Sequence, residues 1–233
     1  PVYCGGQGGG PLFFAHYSYL GFDPRGWKDN CCNYFIRNRN HALIQWEHAK
    51  ANPEKHVGYG ANCWGLTACD GPNGYSAHDI NPNNDEGTIA PTAALASMPY
   101  TPAQSLDAMT HFYRVLGEKL WGPYGFYDAF NLNQNWYAPS YLAIDQGPIV
   151  VMMENHRSGL FWKLFMQNSE IEPALLACGF KPDNSVGQAE PAWAGMQATC
   201  FPNPVSASPA VLLLELAQAE QLTAVLTDAT GRT

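Results

Sequence analysis

The run YLAIDQGPIVVMMENHRSGLFWKLF, Tyr141 to Phe165, limits this chain more than any other segment. At about 100° per residue, Ile149, Val150, Val151, Met152, Met153, Leu160, Phe161, Trp162 and Leu164 spread around the whole circumference of a helix. A helix that is apolar on all sides has to be enclosed by protein, which selects an architecture of helix packed on helix. Its polar residues need separate accounts. Glu154 and Arg157 stand i, i+3 and can pair, and His156 reads as a hydrogen-bonded core histidine. Asp145 stands where an N-cap would, and Pro148 then falls at the third helical position and offers no N–H. Asp145 is thereby relieved of much of its capping role, while the helix N-terminus still favours its ionised form.

Other helices announce themselves by local signals. Apolar spacing predicts one within Asn30–Asn52, ended by Pro53. A short helix is expected around Asn62–Cys69, stopped by the turn sequence DGPNG. TIAPTAALASM reads as an apolar helix. Thr101 with Pro102 starts an amphipathic one running to Leu120, and a last one spans Ser169–Cys178. Between them lie aromatic, Gly- and Pro-rich loops with little strand-like alternation. The pattern predicts an all-α fold in which hairpins of inner and outer helices pack around an axis, as in a toroid. Six or so helices supply only part of such a ring, so the chain reads as a fragment cut at its N-terminal end.

After Phe180 the character changes. A linker is expected over 181–199, followed over 200–233 by an incomplete β-rich module, with strand, turn and strand in VLLLELAQAEQLTAVLTDATGR.

Composition narrows the ligand. Only 14% of the 233 residues are charged and the formal net charge is −8. Without a basic cluster, a phosphate-backbone partner is excluded. No apolar run is long enough to span a bilayer, and no Cys or His spacing calls for a metal or any other cofactor. The seven cysteines read as small buried thiols, with a Cys63–Cys69 bridge left open.

A surface made polar by amides and hydroxyls, with aromatic loops, suits a neutral sugar. Rings stack on its C–H faces, while carboxylates and amides bond its hydroxyls. Tyr17, Tyr19, Trp64, Tyr75, Tyr127, Phe130, Trp136 and Tyr137 lie in or beside predicted loops, among Asp70, His78, Glu86, Asp128 and Asn131. Cleavage of a glycosidic bond needs two carboxyl groups. Asp23 reads as a turn residue bonded to Arg25. Asp70 is either an Asx-turn residue or a sugar contact. Asp85 and Glu86 could serve only to favour a following helix N-terminus. Asp128, between aromatic neighbours, would be raised in pKa by burial.

These residues fall in motifs. GGPLFFAHYSYLGFDPRG, NRNHALI, GYGANCWGLTACDGPNGY, DEGTIAPTAALASMPYTP, YGFYDAFN and YLAIDQGPIVVMMENHRSGLFWKLF together resemble the bacterial glycoamylase-like domain, over roughly residues 5–180 and in the family's order. Its characterised branch is glycoside hydrolase family 144, the endo-β-1,2-glucanases. The resemblance implies an (α/α)6 toroid of which residues 1–180 are the C-terminal half. It implies an inverting reaction, with the two carboxyls about 6.5–9.5 Å apart and a water between them. The general acid of the family would lie upstream of this chain, and Asp145 in IDQGP would be the base or a substrate-hydroxyl contact. Substrate contacts would come from His16, Trp64, Asp70, His78, Glu86, Tyr127, Asp128, Phe130 and Asn131. The tail from Cys200, with FPNPVS and DATGR, resembles the start of a type IX secretion C-terminal sorting domain, which implies export to the cell surface or medium.

The expected protein is a monomeric, secreted hydrolase of a β-glucan oligo- or polysaccharide, most simply β-1,2-linked, inactive as this isolated segment. A transglycosylase and a non-catalytic glycan-binding protein are the alternatives.

Overall fold

The computed structural model describes residues 6–183, 196–201 and 211–216. The chain divides into two compact units, Pro1–Val186 and Gly187–Thr233.

The first unit is helical with short strands in its loops. Three 3-10 turns precede β1 (Trp27–Lys28) and α1 (Tyr34–Ala51). Helix α1 starts where Asn33 accepts a bond from the Ile36 amide at 3.0 Å, and it stops where Asn52 turns left-handed. That left-handed residue closes the helix one position before Pro53. α2 (Pro91–Leu95) and α3 (Pro102–Arg114) both carry proline at their first position, where the absent N–H has no intrahelical partner to lose. α4 (Gly117–Leu120) follows, then α5 (Ala143–Arg157), α6 (Leu160–Met166) and α7 (Ile171–Ala177).

Helix α2 is buried along its whole length and packs on both α3 and α5. The core around it joins Leu12, Ala42, Trp64, Ile89, Phe112, Phe130, Met152 and Trp162. Burying each of the larger side chains contributes roughly 1.5–3 kcal/mol. The aromatic loops are pinned by antiparallel pairs of two residues each. β2 (Ala68–Cys69) pairs with β3 (Ser76–Ala77), and β5 (Trp121–Gly122) with β6 (Gly125–Phe126). β7 (Phe130–Asn131) lies between β4 (Thr88–Ile89) and β8 (Trp136–Tyr137). β9 (Lys181–Pro182) returns to pair with β1, where Asp183 accepts bonds from Lys28 and Asn33, both at 2.9 Å.

Several expectations need correcting. Residues 62–69 are not helical: Asn62 lies in an exposed turn, and residues 63–67 run through the core into β2. Gly65 has φ +130, and a Cβ there would lie 3.0 Å from Ala93 and from the Ala94 backbone. Its close approach to α2 is what excludes a helical turn. The Tyr141–Phe165 run is two helices, parted at a left-handed Gly159. Among the described residues it is not enclosed on all sides, since Ile144, Val150, Leu160, Leu164 and Phe165 are exposed. The Glu154–Arg157 pair forms at 2.8 Å, but on the surface, and His156 is exposed while its neighbour Asn155 is the buried residue. Asn155 earns that place by donating to the Leu20 carbonyl and accepting from the Trp162 amide. Cys63 and Cys69 are both buried free thiols, so they form no bridge.

In the second unit, β10 (Met196–Phe201) pairs antiparallel with β11 (Val211–Leu216), Met196 opposite Leu216 and Phe201 opposite Val211. The first strand therefore begins inside the stretch read as linker, and Lys181–Pro182 belongs to the β1–β9 pair. The second strand expected near residues 222–228 and the DATGR motif lie outside the described residues.

Candidate active site

Three aspartates converge where β2, β6 and α5 end or begin. Asp70 follows β2 and opens the DGPNG turn, whose Gly74 amide bonds back to Gly71 at 3.0 Å. Asp128 sits between β6 and β7, its amide bonded to the Ser140 carbonyl at 3.0 Å. Asp145 is the third residue of α5. The helix starts three residues earlier than expected: Leu142 is its N-cap, with no side-chain cap, and Pro148 lies inside it. The Asp145 carbonyl takes a bond from Thr92 of α2 at 2.8 Å, which fixes the start of α5 against the buried helix.

The three carboxyls are linked through shared donors. The Asp70 amide donates to Asp128 Oδ2 at 2.8 Å, and Ser140 Oγ donates to Asp70 Oδ2. Tyr17 Oη donates to Asp145 Oδ1 at 3.3 Å. Asp128 and Asp145 are each 1% exposed, and Asp128 Oδ1 and Asp145 Oδ2 are buried with no donor. An ionised carboxylate in that setting is disfavoured twice, by lost hydration and by the neighbouring negative charge. Asp145 is accordingly pushed up to about 7, by burial first and then by Asp128. Asp128 is raised as well, chiefly by burial. Tyr17 and Tyr75 are also shifted upward, burial again leading and Asp145 next.

Aromatic rings border the group. Phe13 stacks on Tyr17 with centroids 5.2 Å apart, and Phe14 and Tyr75 are exposed. Tyr127 lies 4.8 Å from Tyr141, which meets Tyr124 edge-on at 5.4 Å. Gly122 makes room for this arrangement, since a Cβ there would collide with the Tyr141 and Tyr127 hydroxyls. A carboxyl pair of raised pKa beside half-exposed rings can bind a sugar and move a proton.

The other residues singled out from the sequence sit elsewhere. His16 is buried, shares a 3.0 Å bond with Ser97 Oγ, and is lowered to about 3 by burial, so it is uncharged. Trp64 is fully enclosed, its indole N–H on the Gln104 carbonyl at 3.3 Å. Phe130 is core, packed edge-on against Phe112. Buried His78 bonds Ser76 and the Asn84 carbonyl. Asn131 spans the Glu86 carbonyl and Thr88, and Glu86 itself is exposed. Of the substrate contacts expected, the structure gathers only Asp70, Tyr127 and Asp128 near Asp145. Tyr17 was visible in the sequence only as one aromatic among many. Ser140 carried no signal beyond standing in the aromatic loop.

A cavity of about 490 Å³ lies apart from these carboxyls, between Leu20–Gly21 and the α5–α6 pair. None of the candidate residues lines it. Among the described residues no group of His, Cys, Asp and Glu could hold a metal ion.

Residues 3–169 match the family model Glycoamylase, described as "Putative glucoamylase". An exo beta-1,2-glucooligosaccharide sophorohydrolase (non-reducing end) of Parabacteroides distasonis is 48% identical over 171 residues, which are 73% of this chain and 24% of that relative. The crystal structure of an endo-beta-1,2-glucanase from Chitinophaga pinensis, a sophorotriose and glucose complex, is 56% identical with a TM-score of 0.73. The match covers 74% of this chain and 41% of that one. A beta-1,2-glucanase from Parabacteroides distasonis aligns at 47% identity and a TM-score of 0.74, over 75% of this chain and 25% of that one. The chain spans less than half the length of each of these relatives.

Proposed function

The chain belongs to the glycoamylase family, and from that premise we propose that the protein carrying it hydrolyses β-1,2-linked glucan. The reading is supported by relatives named for that linkage at 47–56% identity. The observation in this chain that carries it is Asp145, a carboxyl 1% exposed with one oxygen lacking any donor. Such a group can take a proton from a water at neutral pH. In the reaction we infer, Asp145 is the general base. The water oxygen bonds to the anomeric carbon, its proton passes to Asp145, and the bond to the leaving sugar oxygen breaks with inversion. The leaving oxygen takes its proton from a second carboxyl, as the inverting mechanism requires, in a part of the fold outside this chain. Asp70, Tyr17, Tyr75 and Tyr127 are proposed to hold the sugar, with the helices forming part of an (α/α)6 toroid.

Export belongs to the same proposal. Its support is the FPNPVS motif at the start of a tail that resembles a secretion sorting domain. The test of the reaction is release of reducing ends from linear β-1,2-glucan by the intact protein, with Asp145→Asn alongside. Absence of cleavage by the wild type would overturn it, and equal digestion by both proteins would remove Asp145 from the chemistry.

A further inference from the structure

Asp128 has an unusual surrounding for a residue that would only contact a sugar. Its side chain is enclosed, one oxygen is fixed by the Asp70 amide, and the other meets no donor. Asp145 repeats the arrangement, with Tyr17 on one oxygen and nothing on the other. The two carboxyls stand close enough for each to act on the other's ionisation. Two ionised carboxylates cannot bond to each other, because neither donates. A single proton between the two unpartnered oxygens satisfies both.

We propose that Asp128 and Asp145 share one proton between Asp128 Oδ1 and Asp145 Oδ2, which makes Asp128 the positioning residue that sets the ionisation of Asp145. The other titratable groups facing the pair are Asp70 from β2, Tyr17, Tyr75 from the β2–β3 turn, and Cys69. Each is neutral or anionic, so none of them supplies a positive charge that would release the proton. The Ser140 to Asp70 to Asp128 series of bonds holds Asp128 in register from behind.

The catalytic consequence rests on the hydrolase reading. With the proton on Asp128, Asp145 is a carboxylate and can accept the proton of the attacking water. The pair then carries two protons and loses one to solvent once the product leaves. A titrating pair of this kind yields apparent values that belong to both groups together.

The test begins without substrate. In the intact protein labelled with ¹³C at aspartate side-chain carboxyls, the Asp145 signal is expected to titrate near 7. In Asp128→Asn, whose amide oxygen still accepts from Asp70, the Asp145 midpoint should fall by about one to three pH units. Asp128→Glu should retain a raised midpoint. Wild-type titration of both carboxyls near 4, or an Asp145 midpoint unmoved in Asp128→Asn, would overturn the proposal. The limb of kcat/KM on β-1,2-glucan that coincides with the wild-type Asp145 midpoint should follow that midpoint in Asp128→Asn, and a limb that stays in place would overturn the catalytic role. If the carboxyls titrate as expected while no glucan is cleaved, the shared proton stands and the substrate reading fails.

Discussion

Asp85 and Asp145 are equally hidden from solvent, yet the fold treats them in opposite ways. Asp85 lies in a loop and is met on all sides. His48 Nε2 approaches Oδ2 at 2.7 Å, Tyr59 Oη donates to Oδ1 at 2.6 Å, and the Gly87 amide adds a third bond at 3.2 Å. His56 stands 3.3 Å from the same carboxylate. Although burial opposes it, this set of partners holds the Asp85 carboxyl below its ordinary range. Asp145 has one long bond from Tyr17, a free oxygen and a negative neighbour, and it is raised to about 7. Burial therefore does not mark a working carboxylate. The count of donors aimed at it does: a saturated carboxylate knits loops together, and an unsaturated one is kept ready for a ligand.

The sharpest way to break this contrast is to neutralise each group in the intact protein. Asp145→Asn should lower kcat on β-1,2-glucan by about 10³-fold with the fold intact, on the scale of general-base loss. Asp85→Ala should do the reverse. Leaving His48, Tyr59 and the Gly87 amide without their acceptor should cost about 3 kcal/mol in a denaturant titration, with kcat per folded molecule unchanged. If the two variants exchanged these phenotypes, the assignment of the site would be wrong.

Stability against pH separates the pair a second time. Asp145 has a folded pKa above its unfolded one, so its contribution is most favourable at acid pH and is lost as pH rises from about 4 through about 7. Asp145→Asn should consequently be more stable than wild type at pH 8, by roughly 2 kcal/mol, read from the denaturation midpoint. Asp85, whose folded pKa is lowered, contributes above its unfolded value near 4 and loses that contribution as pH falls further. The smallest effect belongs to the exposed Glu154–Arg157 pair. Glu154→Gln should leave both the melting temperature and kcat unchanged within error, as surface ion pairs commonly do.

Much of this contrast could not be read from the chain. Asp145 stood out because it precedes a strongly apolar helix and sits in a motif. Asp85 stood out only as an acidic residue before GTIAP, because His48, His56 and Tyr59 reach it from 26 to 37 residues away. Local chemistry was legible: Pro102 opening α3 and the stop of α1 just ahead of Pro53 follow from neighbours in sequence. Contacts made over long range were not. Residues 62–69 read as a short helix stopped by DGPNG, yet what holds them is Gln45 on the Leu66 amide and Gly65 against α2. The apolar run of α5 and α6 suggested complete enclosure because periodicity counts side chains and not the neighbours available to cover them.

The β1–β9 pair has a consequence for load. Lys181–Pro182 and Asp183 are tied to Trp27–Lys28 and Asn33, so the last described residues of the helical unit are anchored near its beginning. Tension arriving from the downstream end of the chain meets this clasp first. The ladder bonds and the Asp183 bonds to Lys28, Asn33 and Gly26 would have to part before the force reached α7, α6 or the start of α5. A pull at that end would leave the geometry at Asp145 as it is until the clasp parted.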